Sequence, residues 1–380
     1  RRQRQMCIRD SQQALLLLPK KDEQREPLEE RLAASIYQQG ASLREQGDQE
    51  AAANEFLRVA ALVPSASIRS TAEYDAAASL IASGDWLRSA EILEAFRKRY
   101  PDSELLPDVN NKLATAYLET DQPLKAAAEL TTIASQGDNP ELRQAAGWQA
   151  AELYEKAGRQ AEAIQAYRSY VKQFPNPLEP AMEARHKLAG FYEKRGDPKQ
   201  RDIWLEQLIE SDAKAGKQRT DRTRYLAAQA SLRLARPNQT LFSQIQLKAP
   251  LEKNLKRKKA QMQTAIAGYK RAAEYGIAEV TTAATYHIGE IYQQFGSALL
   301  DSERPKGLNE EELEQYEILL EEQAYPFEDK AIGVFETNTQ LTAQGIYDEW
   351  VKKSFEALAQ LLPARYAKQE LSEEAIDAIN

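Results

Sequence analysis

Residues 151–175 read AELYEKAGRQAEAIQAYRSYVKQFP. Ala151 and Tyr154 stand three apart, Gly158 follows, Ala163 and Tyr167 stand four apart, and Pro175 closes the stretch. Residues three or four apart share one face of a helix. The stretch therefore reads as two short helices joined at Gly158. A small residue on the first helix lets the second come close, and the tyrosine fills the space between them. Glycine at the joint takes a positive φ at little cost. Proline stops the second helix and starts the next connection.

Moving outward, the pattern recurs. Turn residues stand at Gly47, Gly84, Asp121 and Gly158, each 37 residues after the last, with Gly196 one residue late. Pro64, Pro101 and Pro175 keep the same step, and Asp138, followed by Pro140, takes the missing proline's place. The first unit has Gly40 and Leu43, then Ala52 and Phe56. The second has Ala77 and Leu80, then Ala90 and Leu93. The third has Ala114 and Tyr117, then Ala126 and Leu130, and the fifth has Ala189 and Tyr192, then Leu205. One such hairpin cannot bury its apolar face alone, whereas stacked neighbours can. The expectation is an all-α chain of stacked hairpins.

This skeleton of small residue, aromatic, Gly, Ala, aromatic and Pro resembles the tetratricopeptide repeat family, five times over residues 29–210. The usual repeat is about 34 residues, so loops or helix ends are extended here. The tryptophan that often opens the family's first helix is absent from its usual place. The resemblance implies a right-handed α-solenoid of TPR-like helix hairpins. It also implies a concave groove lined from the first helices, at the position ten residues before each turn. Those positions hold Tyr37, Tyr74, Asn111, Trp148, His186 and, in a late unit, Tyr286. Such a row can grip an extended peptide through stacking and side-chain hydrogen bonds. The competing reading is that the rings pack between adjacent repeats.

After about residue 211 the spacing breaks, and residues 211–380 are expected to hold atypical, longer repeats and a C-terminal capping helix. Asp221–Ala235 reads as a helix ended by Pro237, with a loop over 236–248. A long helix from Leu251 to Tyr275 carries Ala265, Tyr269 and Ala272. Gly289, Tyr292 and Gly296 restore the first-helix spacing, but Ala331 and Phe335 come late. The insertion at about 298–326 is expected to hold a separate acidic helix, Asn309–Gln323, opened by a capping box of Asn309 and Glu312. A last helix, Tyr347–Leu361, follows, and the tail after Lys368 is read as frayed. The segment Glu303–Ile332, with residues 345–350 and 363–366, is similar to the C-terminal region of large tetratricopeptide proteins of proteobacterial cell envelopes. Some of those accompany ExbB/ExbD and TonB-like or TolQ/TolR-type components. That resemblance implies a periplasmic scaffold.

The chain has 380 residues, 42% of them hydrophobic, with 16 Gly, 16 Pro and a formal net charge of −8. This balance argues against nucleic acid or an anionic membrane as the main partner. No apolar run approaches the roughly 18 residues of a membrane span, and Leu15–Leu18 ends at Pro19. Residues 1–11, which include Met6-Cys7-Ile8-Arg9-Asp10-Ser11, resemble a translated sequencing adapter of metagenomic origin. They are set aside, with the lone cysteine Cys7. Residues 12–28 read as a partial helix or repeat remnant. The chain begins with Arg, so its N-terminus reads as truncated, and a signal peptide would lie upstream.

Catalysis needs positioned nucleophiles, bases or metals. The two histidines, His186 and His287, lie on different repeats, and no metal-protease, P-loop or nucleophile-elbow motif is present. The expectation is no enzyme, cofactor or metal site. Glu310, Glu311, Glu312, Glu314, Glu317, Glu321 and Glu322 read as a solvated helix with acids at its positive dipole end. Lys253, Lys256, Arg257, Lys258 and Lys259 read as a solvated face. The chain is thus expected to be a protein–protein interaction scaffold. Alternatives are a cytosolic chaperone-like or regulatory adaptor, or the non-catalytic part of an enzyme whose catalytic domain lies upstream.

Overall fold

The computed structural model describes residues 2–19 and 21–367, with no side chain described at 2–4 or at Cys7, and every regular element among them is helical. The expectation for the tail after Lys368 lies outside these residues, as does any role for the Cys7 side chain. The chain forms two compact units, Arg1–Phe174 and Pro175–Asn380.

The first unit contains α1 (Arg2–Leu17), α2 (Arg25–Glu45), α3 (Gln49–Leu62), α4 (Arg69–Ser83), α5 (Trp86–Arg99), α6 (Leu106–Glu119), α7 (Pro123–Gln136), α8 (Pro140–Lys156) and α9 (Gln160–Gln173). Each helix packs on its neighbour in the chain, and α2 also touches α4. This is the neighbour-on-neighbour stacking of an α-solenoid. The helix α1 runs across the stretch set aside from the sequence, and Ile8 is buried in the same cluster as Leu32, Ile36 and Phe56.

The turns carry the repeat. Gly47, Gly84, Gly158 and Gly196 all have positive φ, and Asp121 is the described non-glycine residue that shares it, at φ 54°. In each case the amide after the turn residue bonds back to the carbonyl of the large residue before it. Asp48 donates to Leu43, Asp85 to Leu80, Gln122 to Tyr117, Arg159 to Tyr154 and Asp197 to Tyr192, over 2.8–3.0 Å. These six-to-one bonds close the first helix. At three turns the same residue then opens the second helix. The carboxylates of Asp48, Asp85 and Asp197 accept from Ala51, Arg88 and Gln200 amides, a cap that contributes about 1 kcal/mol.

The close approach expected at the small positions is present. A β-carbon on Gly40 would stand 2.8 Å from the Phe56 ring, and Phe56 is fully buried.

The second unit contains α10 (Leu178–Lys194), α11 (Pro198–Ala213), α12 (Asp221–Gln244), α13 (Leu251–Ala273), α14 (Ala278–Leu300), α15 (Glu310–Thr339), α16 (Glu349–Leu361) and α17 (Pro363–Tyr366). Consecutive helices again pack together, and α10 touches α12, α12 touches α14, and α14 touches α16. Two sequence expectations fail here. The helix α12 does not end before Pro237 but runs through it to Gln244, so residues 236–244 are not loop. The acidic segment is not a separate helix, because α15 is one 30-residue helix passing through Pro326. A proline inside a helix costs about 3 kcal/mol. Packing beyond each proline offsets that cost. Phe242 is fully buried and stacks on Phe295, and Phe327 meets Phe295 at 4.5 Å.

The capping box of Asn309 and Glu312 forms as expected, with both bonds at 2.9 Å. Asn338, fully buried on α15, joins three helices. Its amide donates to the Thr282 carbonyl at 3.1 Å and to Ser354 Oγ at 2.9 Å. Among the described residues no helix is long and apolar enough to cross a membrane.

Candidate functional site

The six residues expected to line a groove divide between the units, with Tyr37, Tyr74, Asn111 and Trp148 in the first and His186 and Tyr286 in the second. All six are half-buried. Tyr37 on α2 packs on Phe56, ring centres 5.1 Å apart, and its hydroxyl donates to Asp75 on α4. Arg44 binds the same carboxylate at 3.1 Å. One repeat on, Tyr74 packs on Phe96 at 6.4 Å and donates to Asp108 on α6. These two rings thus tie each first helix to the next one. Burial first, then the neighbouring aspartate, pushes the Tyr37 phenol up to about 12 and that of Tyr74 higher still.

Trp148 meets Tyr167 and Tyr170 edge-on at 5.7 and 5.4 Å. Asn111 lines an open cavity of about 410 Å³ with Arg97, Asn110, Ile133, Asn139 and Leu142. His186 on α10 is held below the usual histidine range, chiefly by burial and next by Arg233. Tyr286 is enclosed by Phe335, Trp350 and His287 at 5.5–5.7 Å.

A cleft that the sequence reading missed lies between α7 and α9, with α8 as its floor. It encloses about 430 Å³, within the range of ligand pockets. Ala134, Gly147, Ala150 and Ala166 make the space, Tyr170 and Phe174 give it aromatic walls, and Glu162, Gln165 and Gln173 stand at its polar edge. The signal was a glycine inside a helix. Gly147 sits in the middle of α8, and a β-carbon there would touch Ala134, Tyr170 and Phe174 at 3.4–3.5 Å. Small residues at this interface leave the cleft open.

Two polar clusters of the second unit join neighbouring helices. Asp212, almost fully buried, accepts from Arg219 at 2.8–3.1 Å and from Thr223 at 3.1 Å. His287 stacks on Tyr269 at 5.0 Å and bonds Glu290 through Nδ1 at 3.1 Å. That bond, against the effect of burial, holds the Glu290 carboxyl below its usual range. Among the described residues no three His, Cys, Asp or Glu side chains converge as metal ligands.

The basic segment corrects an expectation. Lys253, Lys256, Arg257 and Lys259 face solvent, but Lys258 is only 4% exposed. Its ammonium donates to the Phe242 and Ile245 carbonyls at 3.1 and 2.9 Å. It thereby satisfies the end of α12, where the helix dipole favours a cation. Burial holds its pKa below the usual lysine range.

Two stretches of the chain, residues 71–103 and 145–177, match the tetratricopeptide repeat family model. Each starts within a first helix and ends just past the proline that follows the second. No curated protein matches the chain significantly. Among solved structures, the nearly identical TPR-like repeats of a putative kinesin light chain from Podosopora anserina are 20% identical, covering 50% of this chain and 98% of that one, with a TM-score of 0.30. A tetratricopeptide repeat protein from Parabacteroides merdae is 15% identical over 76% of this chain and 97% of its own, also at 0.30. The TPR domain of P58(IPK) is 16% identical, covering 88% and 90%, at 0.24.

Proposed function

We propose that this chain is a non-catalytic scaffold that holds a segment of another protein against its stacked hairpins. The observation that carries the reading is the α7–α8–α9 cleft. It is open, apolar at its floor, polar at its rim and built on rigid helices. A groove of this kind takes an aliphatic or aromatic anchor residue, while the rim bonds the flanking backbone. The row of Tyr37, Tyr74, Asn111 and Trp148 belongs to the same unit. Its two tyrosine hydroxyls are committed to Asp75 and Asp108, so these rings would offer a partner their edges and not their hydroxyls.

The experiment is a peptide-display selection on the immobilised chain, followed by affinity measurement with the enriched peptides. Replacing Ala166 by Leu fills the cleft from its wall. The expected result is binding weaker by about tenfold or more, since a blocked anchor pocket removes a dominant contact, with an unchanged melting temperature. Equal binding by the filled variant would refute the cleft as the anchor.

The resemblance of the C-terminal third to envelope tetratricopeptide proteins supports a finer reading, a periplasmic scaffold beside ExbB/ExbD and TonB- or TolQ/TolR-type components. Recovery of the upstream coding sequence tests it. A signal peptide or lipid-attachment motif is the expected finding, and a catalytic domain there would replace this reading altogether.

A further inference from the structure

The second unit carries two surfaces of opposite character on one helix. The first half of α15 lays Leu313, Tyr316, Leu320 and Ala324 inward. Its opposite face, in three- and four-residue steps, is Glu311, Glu314, Ile318, Glu322 and Tyr325. Ile318 is 53% exposed and Tyr325 69%, and the three glutamates face solvent. This is an acidic stripe with two large apolar side chains on it, and among the described residues no helix of the unit covers it.

The second half of α15 walls a groove of about 370 Å³ shared with α13 and α14. Its floor is apolar, with Met262, Ile266, Tyr292 and Phe327, and its rim is Lys259, Lys270 and Lys330. Lys330 stands 5.2 Å from the Phe327 ring and 5.9 Å from the Tyr292 ring. All three lysines face solvent, and among the described residues none of them, nor Glu311, Glu314 or Glu322, sits in an ion pair.

We propose that the lysine-rimmed groove binds the acidic stripe of a second copy of this chain. The two are complementary in kind. The groove offers an apolar floor between cations, and the stripe offers Ile318 and Tyr325 between anions. The stripe cannot enter the groove of its own chain, because both lie on one continuous helix and a rigid rod cannot fold back on itself. Two copies related by a two-fold axis would each supply a stripe and a groove, so the contact closes on a dimer. The whole chain is acidic, with a formal charge of −8. Association therefore depends on local pairing of charges and weakens as salt rises.

Sedimentation velocity over a range of concentrations tests this with two triple variants. The groove variant is Lys259→Glu, Lys270→Glu and Lys330→Glu. The stripe variant is Glu311→Lys, Glu314→Lys and Glu322→Lys. All six positions are exposed, and circular dichroism checks that both variants remain helical. The unaltered chain is expected to dimerise, less so in high salt. Each variant alone is expected to associate about tenfold or more weakly, since like charges then face each other. A mixture of the two is expected to recover the dimer, because both contacts of the mixed pair are again complementary. A chain that stays monomeric, a dimer indifferent to both variants, or a mixture that fails to recover would overturn the proposal. A monomer that nonetheless binds a synthetic peptide of residues 308–326 would also overturn it, and would assign the groove to an acidic partner of another kind.

Discussion

Gly289 on α14 lies flat against the ring of Phe335 on α15, so that a β-carbon at Gly289 would stand 2.6–2.8 Å from three of its ring atoms. Gly40 and Phe56 repeat the arrangement in the first unit at 2.8 Å. Both phenylalanines are fully buried, so neither ring has room to swing aside. In each case the large residue of the second helix is seated on the bare backbone of the first.

Gly289→Ala is therefore expected to destabilise the chain. Alanine gains about 1 kcal/mol in helix propensity, but overpacking a closed core typically costs about 1–3 kcal/mol. The expected net change is a loss, read as a lower urea midpoint. Gly333 is the control. It is helical and exposed, nothing lies within 4 Å of its added β-carbon, and Gly333→Ala should stabilise by up to about 1 kcal/mol. A stabilised Gly289→Ala would refute the packing described.

Asp121 adopts φ 54° at a turn where the other repeats place glycine. The left-handed region costs a non-glycine residue roughly 1–2 kcal/mol. Its side chain is exposed and makes no helix cap, since α7 is opened by Gln122 and Pro123. Asp121→Gly should thus raise stability by up to about 1 kcal/mol, and thermal unfolding measures it. A fall in melting temperature would mean that the aspartate stabilises the turn by some other contact.

The alkaline limb of stability should be steep. Tyr37, Tyr74, Tyr117, Tyr167 and Tyr269 all have phenols raised above 10, chiefly by burial. A raised acid stays protonated in the folded chain while the unfolded chain already ionises. The stability they contribute is complete below pH 10 and lost as pH rises, for Tyr37 between about 10 and about 12. Tyr37→Phe should flatten the urea midpoint's fall over that window. Near neutral pH it should cost about 0.5–1.5 kcal/mol through the lost bond to Asp75. An unchanged alkaline slope would be the contrary result.

Trp148→Ala separates the two readings of the first-helix row. The indole packs on Tyr167 and Tyr170, so its removal should destabilise by about 3–5 kcal/mol if it is core. If binding of display-selected peptides, measured well below the new melting temperature, is unchanged, Trp148 serves packing only. The groove reading expects binding to fall as well. Tyr74→Ala repeats the comparison at a second register.

The hairpins were legible because their punctuation is local. Gly47, Gly84, Gly158 and Gly196 each satisfy a backbone requirement that few other residues meet, and the Ala and aromatic positions around them recur in register. The helices through Pro237 and Pro326 were not legible. Proline speaks locally for a stop, and the packing of Phe242 and Phe327 on Phe295 is what overrules it. Lys258 looked like one charge among five on a solvated face. Only its position beneath the end of α12 shows that it caps that helix.

The order of small, large and turn residues along the chain by itself determined that this protein is a series of packed helical hairpins, because helix periodicity and positive φ are properties of a few consecutive residues. Tertiary structure alone decided where the cleft of Ala134, Gly147 and Ala166 opens and which tyrosine hydroxyls are already spent on Asp75 and Asp108. Those outcomes depend on distances between residues 13 to 38 positions apart, and such distances exist only once the helices have stacked.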